Sequence, residues 1–292
     1  MENGKVWHSA PENTAKETHL YSVTLESGER ISDLEEYLGH IETKAANSFH
    51  KLILGELVAG QERANLASFL AMMFVRTNAF RRTIAELHAA FLNVKLYATA
   101  IHDGAFQSAM TRYEEEHGEL TQKEKAAVRE GMRNPDQFEV SIHREWTLRA
   151  LSFHDDLVPI LFKMNWTTMI APEGRYFISS DNPLVRATPK RFADHIEAGG
   201  FLDKNVEVTF PLSPKACLLA CWSSDLDRKM MLPAEGVKQA NRARAIHAER
   251  FMYGPKFDSG IVSLANKYKE TKPGVKLSGF GPSNFSPVTI RR

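Results

Sequence analysis

The chain has 292 residues, of which 43% are hydrophobic and 25% charged, and its formal net charge is +1. This composition is typical of a globular protein with a sizeable core, and the charge indicates no general affinity for nucleic acid or an anionic membrane. No apolar run reaches the ~18 residues of a membrane span, and residues 1–14 hold no hydrophobic signal core, so we expect a cytoplasmic protein.

The first half of the chain is predicted to be helical. Residues 31–56 open with a capping box, Ser32 with Glu35, and Gly55 is expected to end this helix. The next stretch begins with the most apolar segment of the chain, which predicts a central buried helix. That helix either continues to about residue 102 or breaks near Thr77 and Asn78.

Shorter helices are predicted to follow, one of them opening with a second capping box, Thr121 with Glu124. Residues 138–164 then predict another long helix, and Pro159 is expected to kink it or to end its first part.

The pattern changes from helices to strands after residue 164. "WTTMIAPEGRYFISS" predicts two strands joined by a turn at residues 172–174, and "VEVTFPLS" with "ACLLACW" predicts a second pair. The prolines between the second pair, Pro211 and Pro214, are expected at a sheet edge or at strand ends. A loop over about residues 186–204, a helix from Pro233 and a short final helix complete this half.

The predicted fold class is therefore α+β, because helices and strands are segregated along the chain. We expect one compact domain with an N-terminal extended segment (1–30), a helical region (31–164) and a small, mainly antiparallel sheet with packed helices (165–271). An irregular tail (272–292) follows. Cys217 and Cys221 would lie ~13 Å apart on one strand, too far for a disulfide, so we expect buried thiols in a reducing compartment.

Motifs for common chemistry are missing from the sequence. The histidines and cysteines have no familiar metal-ligand spacing, and no glycine-rich phosphate loop or Gly-x-Ser-x-Gly elbow is present. His154-Asp155-Asp156, with His143 upstream, resembles the doublet of metal-dependent phosphohydrolases. The doublet lies at the exposed end of an amphipathic pattern, so we favour a solvated helix face over a metal site. The sequence identifies no cofactor.

Two charged residues lie in apolar settings on neighbouring predicted helices. Arg76 shares a helix face with large apolar residues, and a guanidinium there needs an acid or a ligand. Glu42 could meet Arg76 if the two helices pack antiparallel. The pair would then be either a structural ion pair that fixes helix register or the wall of a pocket for an anionic group.

Five stretches, taken in order, resemble the uncharacterised family known as domain of unknown function 4238. They are "YLGHIETKAA", "FLAMMFVRTNAFR", "NWTTMIAPEGRYFISSDNPLV", "TFPLSPKACLLA" and "QANRARAIHAERFMYGP". The resemblance covers about residues 11–255. It maps the family's recurring positions to Glu42, Arg76 with Thr77, Ser180 through Pro183, Pro211 through Pro214, and Asn241.

The chain differs from the family pattern in two places. Asn78 stands where relatives have proline, so we expect the helix to run on more smoothly there. Relatives open with a His-x-x-Pro segment that leads to Tyr-Leu and Phe, and we expect this chain to start after that point, with "GKVWHSAPENT". If the histidine of that segment takes part in a site, this protein either lacks it or begins at an internal start. The resemblance implies no particular activity.

The leading hypothesis is a polar pocket between the helical and sheet regions. Its predicted catalytic residues are Asp181 and Glu42, and its predicted binding residues are Arg76, Ser180, Asn182 and Asn241. A carboxylate pair suits general acid–base work, and an arginine suits a small anionic ligand. We therefore predict a hydrolase of a phosphate-containing or nucleotide substrate, with a possible role in defence.

The alternative is a non-catalytic binding or interaction module, in which the same polar residues form a structural network. "RTIAELHAAFLNVKLY" is apolar enough to form a homodimer face.

Overall fold

The structure of the chain is a computed structural model that describes residues 6–9, 23–24, 30–31, 33–134, 145–188 and 200–269. Within these residues the helices are α1 (Asp33–Leu54), α2 (Gly60–Val75), α3 (Asn78–Ile101), α4 (Asp103–His117), α5 (Gln122–Arg133), α6 (Glu145–Lys163), α7 (Ala234–His247) and α8 (Ser259–Tyr268). Ser32 of the first capping box, His143 and the predicted tail lie outside the described residues.

The strands of the described chain lie mostly in its second half. They are β1 (Val23–Thr24), β2 (Arg30–Ile31), β3 (Asn165–Ile170), β4 (Ser179–Ser180), β5 (Val185–Ala187), β6 (Glu207–Ser213), β7 (Ala216–Cys221), β8 (Lys229–Met231) and β9 (Met252–Tyr253). Five of them form a mixed sheet in the order β5-β6-β7-β3-β8, in which only the β3–β8 pair is parallel. The predicted α+β class is therefore confirmed.

The strand pairing confirms one predicted hairpin and corrects the other. β6 and β7 pair antiparallel as expected, but β3 pairs with β7 and β8, and β4 pairs with β9. Every residue of β7 is buried, so this strand takes the centre of the sheet, where β3 can pair with it along its full length. The prediction that β3 and β4 form a hairpin was wrong.

Pro211 lies inside β6, opposite Cys217, where the register shifts before Ser213. β5 pairs with β6 only from Glu207 to Thr209. Among the described strands, β7 alone therefore flanks the chain at Pro211, and this is the edge-like environment that a proline in a strand requires.

The sheet is covered on both faces because side chains alternate along β7. Leu218 and Ala220 belong to a core cluster with residues of α1, α2 and α6. Cys217 and Leu219 belong to a second cluster with Val237 of α7. Both cysteines are buried free thiols, as predicted.

Two helix boundaries have local causes. α1 ends before Gly55, whose φ of 79° is a left-handed conformation that suits glycine. α2 and α3 are separate helices, so the expectation that Asn78 lets one helix run on smoothly was wrong. The reason is Thr77, whose hydroxyl accepts a hydrogen bond from Phe80 N at 3.2 Å and so caps α3.

α6 continues across Pro159 to Lys163, so the proline does not end the helix. None of the helices in the described parts of the chain is long and apolar enough to cross a membrane.

The chain divides into two compact units. One is Met1–Arg81 with Thr147–Pro273, and the other is Arg82–Trp146 with Gly274–Arg292. The first contains the five-stranded sheet with α1, α2, α7 and α8. In the second, the predicted capping box of α5 is confirmed, with Thr121 Oγ1 and the Glu124 carboxylate each accepting the other residue's backbone N–H. The predicted domain boundaries stay a prediction.

Candidate functional site

Glu42 and Arg76 meet, as the sequence predicted. Arg76 Nη1 lies 2.8 Å from Glu42 Oε1, and Lys51 and Glu62 form a second bridge at 2.6 Å. The two bridges run in opposite order along α1 and the α2 segment, so these helices pack antiparallel. The Glu42 and Arg76 side chains are 51% and 28% exposed, so water screens the pair and we expect it to stabilise the fold only weakly.

The four other predicted site residues gather around the C-terminal end of α7. Asp181 Oδ1 accepts a hydrogen bond from Glu249 N at 2.9 Å, and its Oδ2 accepts from Arg250 N at 2.6 Å and Phe251 N at 3.0 Å. The backbone N–H of Asp181 donates in return to Phe251 O. The Asp181 carboxylate thus holds three consecutive backbone donors of the segment that follows α7.

Three effects act on the ionisation of Asp181, and they do not all have the same sign. Burial raises its pKa above the ordinary value, the three backbone N–H groups lower it, and the Glu249 carboxylate raises it, with a net shift upward. Its role as a catalytic base stays a prediction, and the geometry adds a structural role.

Asn241 and Asn182 also bond to backbone. Asn241 accepts from Ile178 N at 3.0 Å and donates to Tyr176 O at 2.9 Å, so its amide pairs with the chain before β4 as a strand would. Asn182 Nδ2 donates to His247 O at 3.1 Å. Within the described residues, Asn182 Oδ1 is buried with no hydrogen-bond partner.

Ser180 stabilises a turn at the end of β4 through two hydrogen bonds to Asn182. Its hydroxyl donates to Asn182 O at 2.9 Å and accepts from Asn182 N at 3.2 Å. The "SSDNP" segment therefore forms a local turn, and hydrogen bonds with α7 and its following segment hold this turn in place.

Arg244 of α7 is a buried residue of this cluster that no sequence motif indicates. It is 2% exposed, and its guanidinium donates to Pro183 O and, at 3.4 Å, to Thr209 O. A third contact, from Nη2, reaches the Thr209 hydroxyl at 3.4 Å. Its position could have been found from the buried stripe of α7, since it lies three residues after Asn241.

The pKa values in this cluster follow from burial. Burial lowers the pKa of Arg244 to about 10, against the opposing effect of Cys217. Burial raises the pKa of Cys217 to about 11, although the Arg244 charge opposes the shift. Arg244 therefore stays a cation and Cys217 a neutral thiol at neutral pH. Arg244 thus ties the turn to β6 rather than activating the thiol.

An aromatic surface lies beside the Asp181 contacts. We call Trp7, Arg250 and Phe251 the Trp7 surface. The Trp7 ring stands edge-on to the Phe251 ring, with centroids 5.9 Å apart, and the Arg250 guanidinium lies 5.1 Å from the same ring centre. The Trp7 side chain is 60% exposed. No sequence pattern indicates this surface, because 244 positions separate Trp7 from Phe251.

The expectation that the His154-Asp155-Asp156 doublet lies on a solvated helix face was wrong for His154. His154 is 6% exposed, and its Nε2 lies 3.0 Å from Ser68 Oγ on α2. Asp155 and Asp156 are exposed, as expected. The residues described in the structure contain no group of three His, Cys, Asp or Glu side chains that could hold a metal ion.

The contacts thus assemble the six predicted residues in two groups. Glu42 and Arg76 join two helices, whereas Ser180, Asp181, Asn182 and Asn241 join the turn to α7 and its following segment. One pocket shared by both groups stays a prediction.

The chain matches one family model over most of its length. The family is described as "Protein of unknown function (DUF4238)", and its model matches residues 1–256 of this chain. No curated protein and no solved structure matches the chain. Because the match covers far more than half of the sequence, the chain belongs to the DUF4238 family.

Proposed function

We propose that this protein binds a small ligand with a phosphate group and a planar ring, such as a nucleotide, on the Trp7 surface. The observation that carries the proposal is Trp7 itself, a large aromatic side chain that is 60% exposed and contacts the same Phe251 ring as the Arg250 guanidinium. Aromatic rings stack on nucleobases with about 1–3 kcal/mol per base, and arginine suits phosphate.

Asp181 supports this proposal as a positioning residue. Its carboxylate fixes the backbone N–H groups of Arg250 and Phe251, so two of the three residues of the surface are held before a ligand arrives. Such preorganisation reduces the entropy that binding would otherwise lose. The polar network then has a structural purpose, as in the non-catalytic alternative.

Hydrolysis of the bound ligand is the catalytic form of the same proposal. It needs Asp181, whose net pKa is raised, to move a proton at the phosphate, with Glu42 as second carboxylate and Arg76 as anion ligand. The three hydrogen bonds that Asp181 accepts favour the non-catalytic form. The predicted role in defence stays a prediction.

Fluorescence titration tests the binding. We expect adenosine mono-, di- and triphosphate to quench tryptophan emission of the wild type. The Trp7 variants lack this fluorophore, so their binding is measured by titration calorimetry, and we expect Trp7→Ala to weaken binding roughly tenfold or more, which is the loss of about 1.4 kcal/mol or more of stacking. Trp7→Phe should keep most of the affinity. Phe257→Ala is the matched control, because Phe257 is 63% exposed elsewhere on the chain.

The titration and a phosphate-release assay separate the outcomes. Binding without release supports the non-catalytic form, and release that Asp181→Asn abolishes supports the hydrolase. If no nucleotide quenches the wild type, or if Trp7→Ala binds as well as the wild type, the proposal is wrong.

A second copy of the chain is the partner that we propose for α3. Phe91, Val94 and Ile101 lie at helical spacing along this helix and are 71%, 40% and 46% exposed. Ala85 and Ala89 on another side of the same helix are buried. A helix that exposes its large apolar side chains and buries its small ones is typical of an interface between chains.

A further inference from the structure

Three side chains on α2 and α6, none of which belongs to the Trp7 surface, are linked by hydrogen bonds. Ser68 Oγ lies 3.0 Å from His154 Nε2, and His154 Nδ1 lies 2.9 Å from Asp155 Oδ1. Ser68 and His154 are 86 positions apart in the sequence. This is the order of groups by which a carboxylate orients a histidine and the histidine activates a serine.

We propose that Ser68 is a nucleophile that reacts with carboxylic esters. His154 is its general base, and Asp155 is a positioning residue that holds the imidazole through Nδ1. With the Nδ1 proton directed at Asp155, Nε2 presents a lone pair to the Ser68 hydroxyl.

The surroundings of His154 suit this role. The imidazole is 6% exposed, and the Tyr37 ring stands edge-on to it at 6.4 Å, so packing fixes the orientation of the ring. After Nε2 has taken the serine proton, it can donate to Ser68 O, which lies 3.1 Å away. The imidazolium then has an oxygen acceptor at each nitrogen.

The reaction proceeds in two balanced steps. Ser68 Oγ attacks the ester carbonyl carbon while its proton moves to His154 Nε2, and the leaving alcohol takes that proton as its bond to carbon breaks. Water then attacks the acyl-serine, gives one proton to Nε2 and releases the carboxylic acid. The proton on Nε2 returns to Ser68 Oγ.

The position of Ser68 also defines the substrate class. Ser68 lies inside α2, where backbone N–H groups are engaged within the helix, so backbone donors do not stabilise an oxyanion there. Such donors contribute about 10²–10³ in rate when present. We therefore expect esters with a good leaving group rather than amides, and slow turnover. Tyr37, 47% exposed beside His154, favours an apolar acyl group.

The test uses p-nitrophenyl butyrate with the full chain. We expect a burst of p-nitrophenolate, a butyryl adduct in the intact mass and its location on Ser68 by peptide mass. Ser68→Ala should lose both burst and adduct. Asp155→Asn should slow the burst roughly tenfold or more, and Asp155→Glu should restore most of it.

Asp156→Asn is the matched control, because it removes a neighbouring exposed carboxylate on the same helix. Melting temperatures of all variants show that they are folded; Asp155 is 90% exposed, so its replacement should leave folding unchanged. The proposal is overturned if the wild type forms no acyl-serine, if the adduct lies on another residue, or if Asp155→Asn reacts like Asp156→Asn.

Discussion

The Asp181 carboxylate joins two segments that are distant in the sequence. Its oxygens accept three backbone N–H groups that lie about seventy residues further along the chain. Asp181→Ala would leave these donors without their acceptor, so we expect the free energy of unfolding to fall by about 2–4 kcal/mol. Urea unfolding at neutral pH measures the change.

Two comparisons make this expectation specific. Asp181→Asn keeps one acceptor oxygen and should cost less than Asp181→Ala. Asp156→Ala removes an exposed carboxylate and should change the unfolding free energy by no more than about 0.5 kcal/mol. Similar losses in Asp181→Ala and Asp156→Ala would contradict the structural role of Asp181.

His247 predicts a pH dependence. Burial lowers its pKa below 6.5, the Ala243 carbonyl opposes this shift, and the positive charges of Arg244 and Arg186 lower the pKa further. In the window below 6.5 the unfolded chain binds a proton that the folded chain does not bind. The contribution of His247 to the free energy of unfolding is therefore complete above pH 6.5. It is lost as the pH falls through the pKa that His247 has in the folded chain.

Unfolding measured at about pH 7.5 and about pH 5.5 tests this sign, since a lowered histidine pKa acts in that range. We expect His247→Gln to lose less stability on acidification than the wild type. His50→Gln, which replaces an exposed histidine of α1, should behave as the wild type does. A steeper loss in His247→Gln than in the wild type would show that the sign is wrong.

Among the elements, the break between α2 and α3 depends on one side chain. Thr77 is 6% exposed, and its hydroxyl accepts the N–H of Phe80 while it donates to Phe74 O. Thr77→Ala should lower the free energy of unfolding by about 1 kcal/mol, as the loss of a helix cap does. Thr77→Ser keeps the hydroxyl and is the control; equal losses in both variants would assign the effect to packing of the methyl group instead.

The elements that the sequence could predict are those with a long local pattern. Helical spacing and capping residues identified α1, α2 and α5, and residues 207–221 gave the β6–β7 hairpin. β5, β8 and β9 are three residues or shorter, so they carry no periodic signal. Each of these short strands pairs where the rest of the sheet leaves backbone hydrogen-bonding groups exposed. The pairing therefore depends on tertiary context and not on the local sequence.

At the level of the whole molecule, the same limit applies to the candidate sites. The Glu42–Arg76 contact could be predicted because α1 and α2 are adjacent along the chain and pack antiparallel, which brings the two charged residues together. The partners of Asp181 are backbone N–H groups, which any sequence provides. Ser68 and His154 meet only because α2 and α6 pack together, so no local motif marks the pair.

The assembly proposed for α3 gives the last prediction. Burying a side chain as large as Phe91 between two chains contributes about 1.5–3 kcal/mol, whereas a carboxylate in the same place would be desolvated without a partner. We expect the wild type to have twice the mass of one chain by light scattering after size exclusion, and Phe91→Asp to have the mass of one. Phe257→Asp, at a residue that is 63% exposed outside α3, should remain a dimer. A wild type that is a monomer at every concentration measured would contradict the proposed interface, as would a dimer that Phe91→Asp leaves intact.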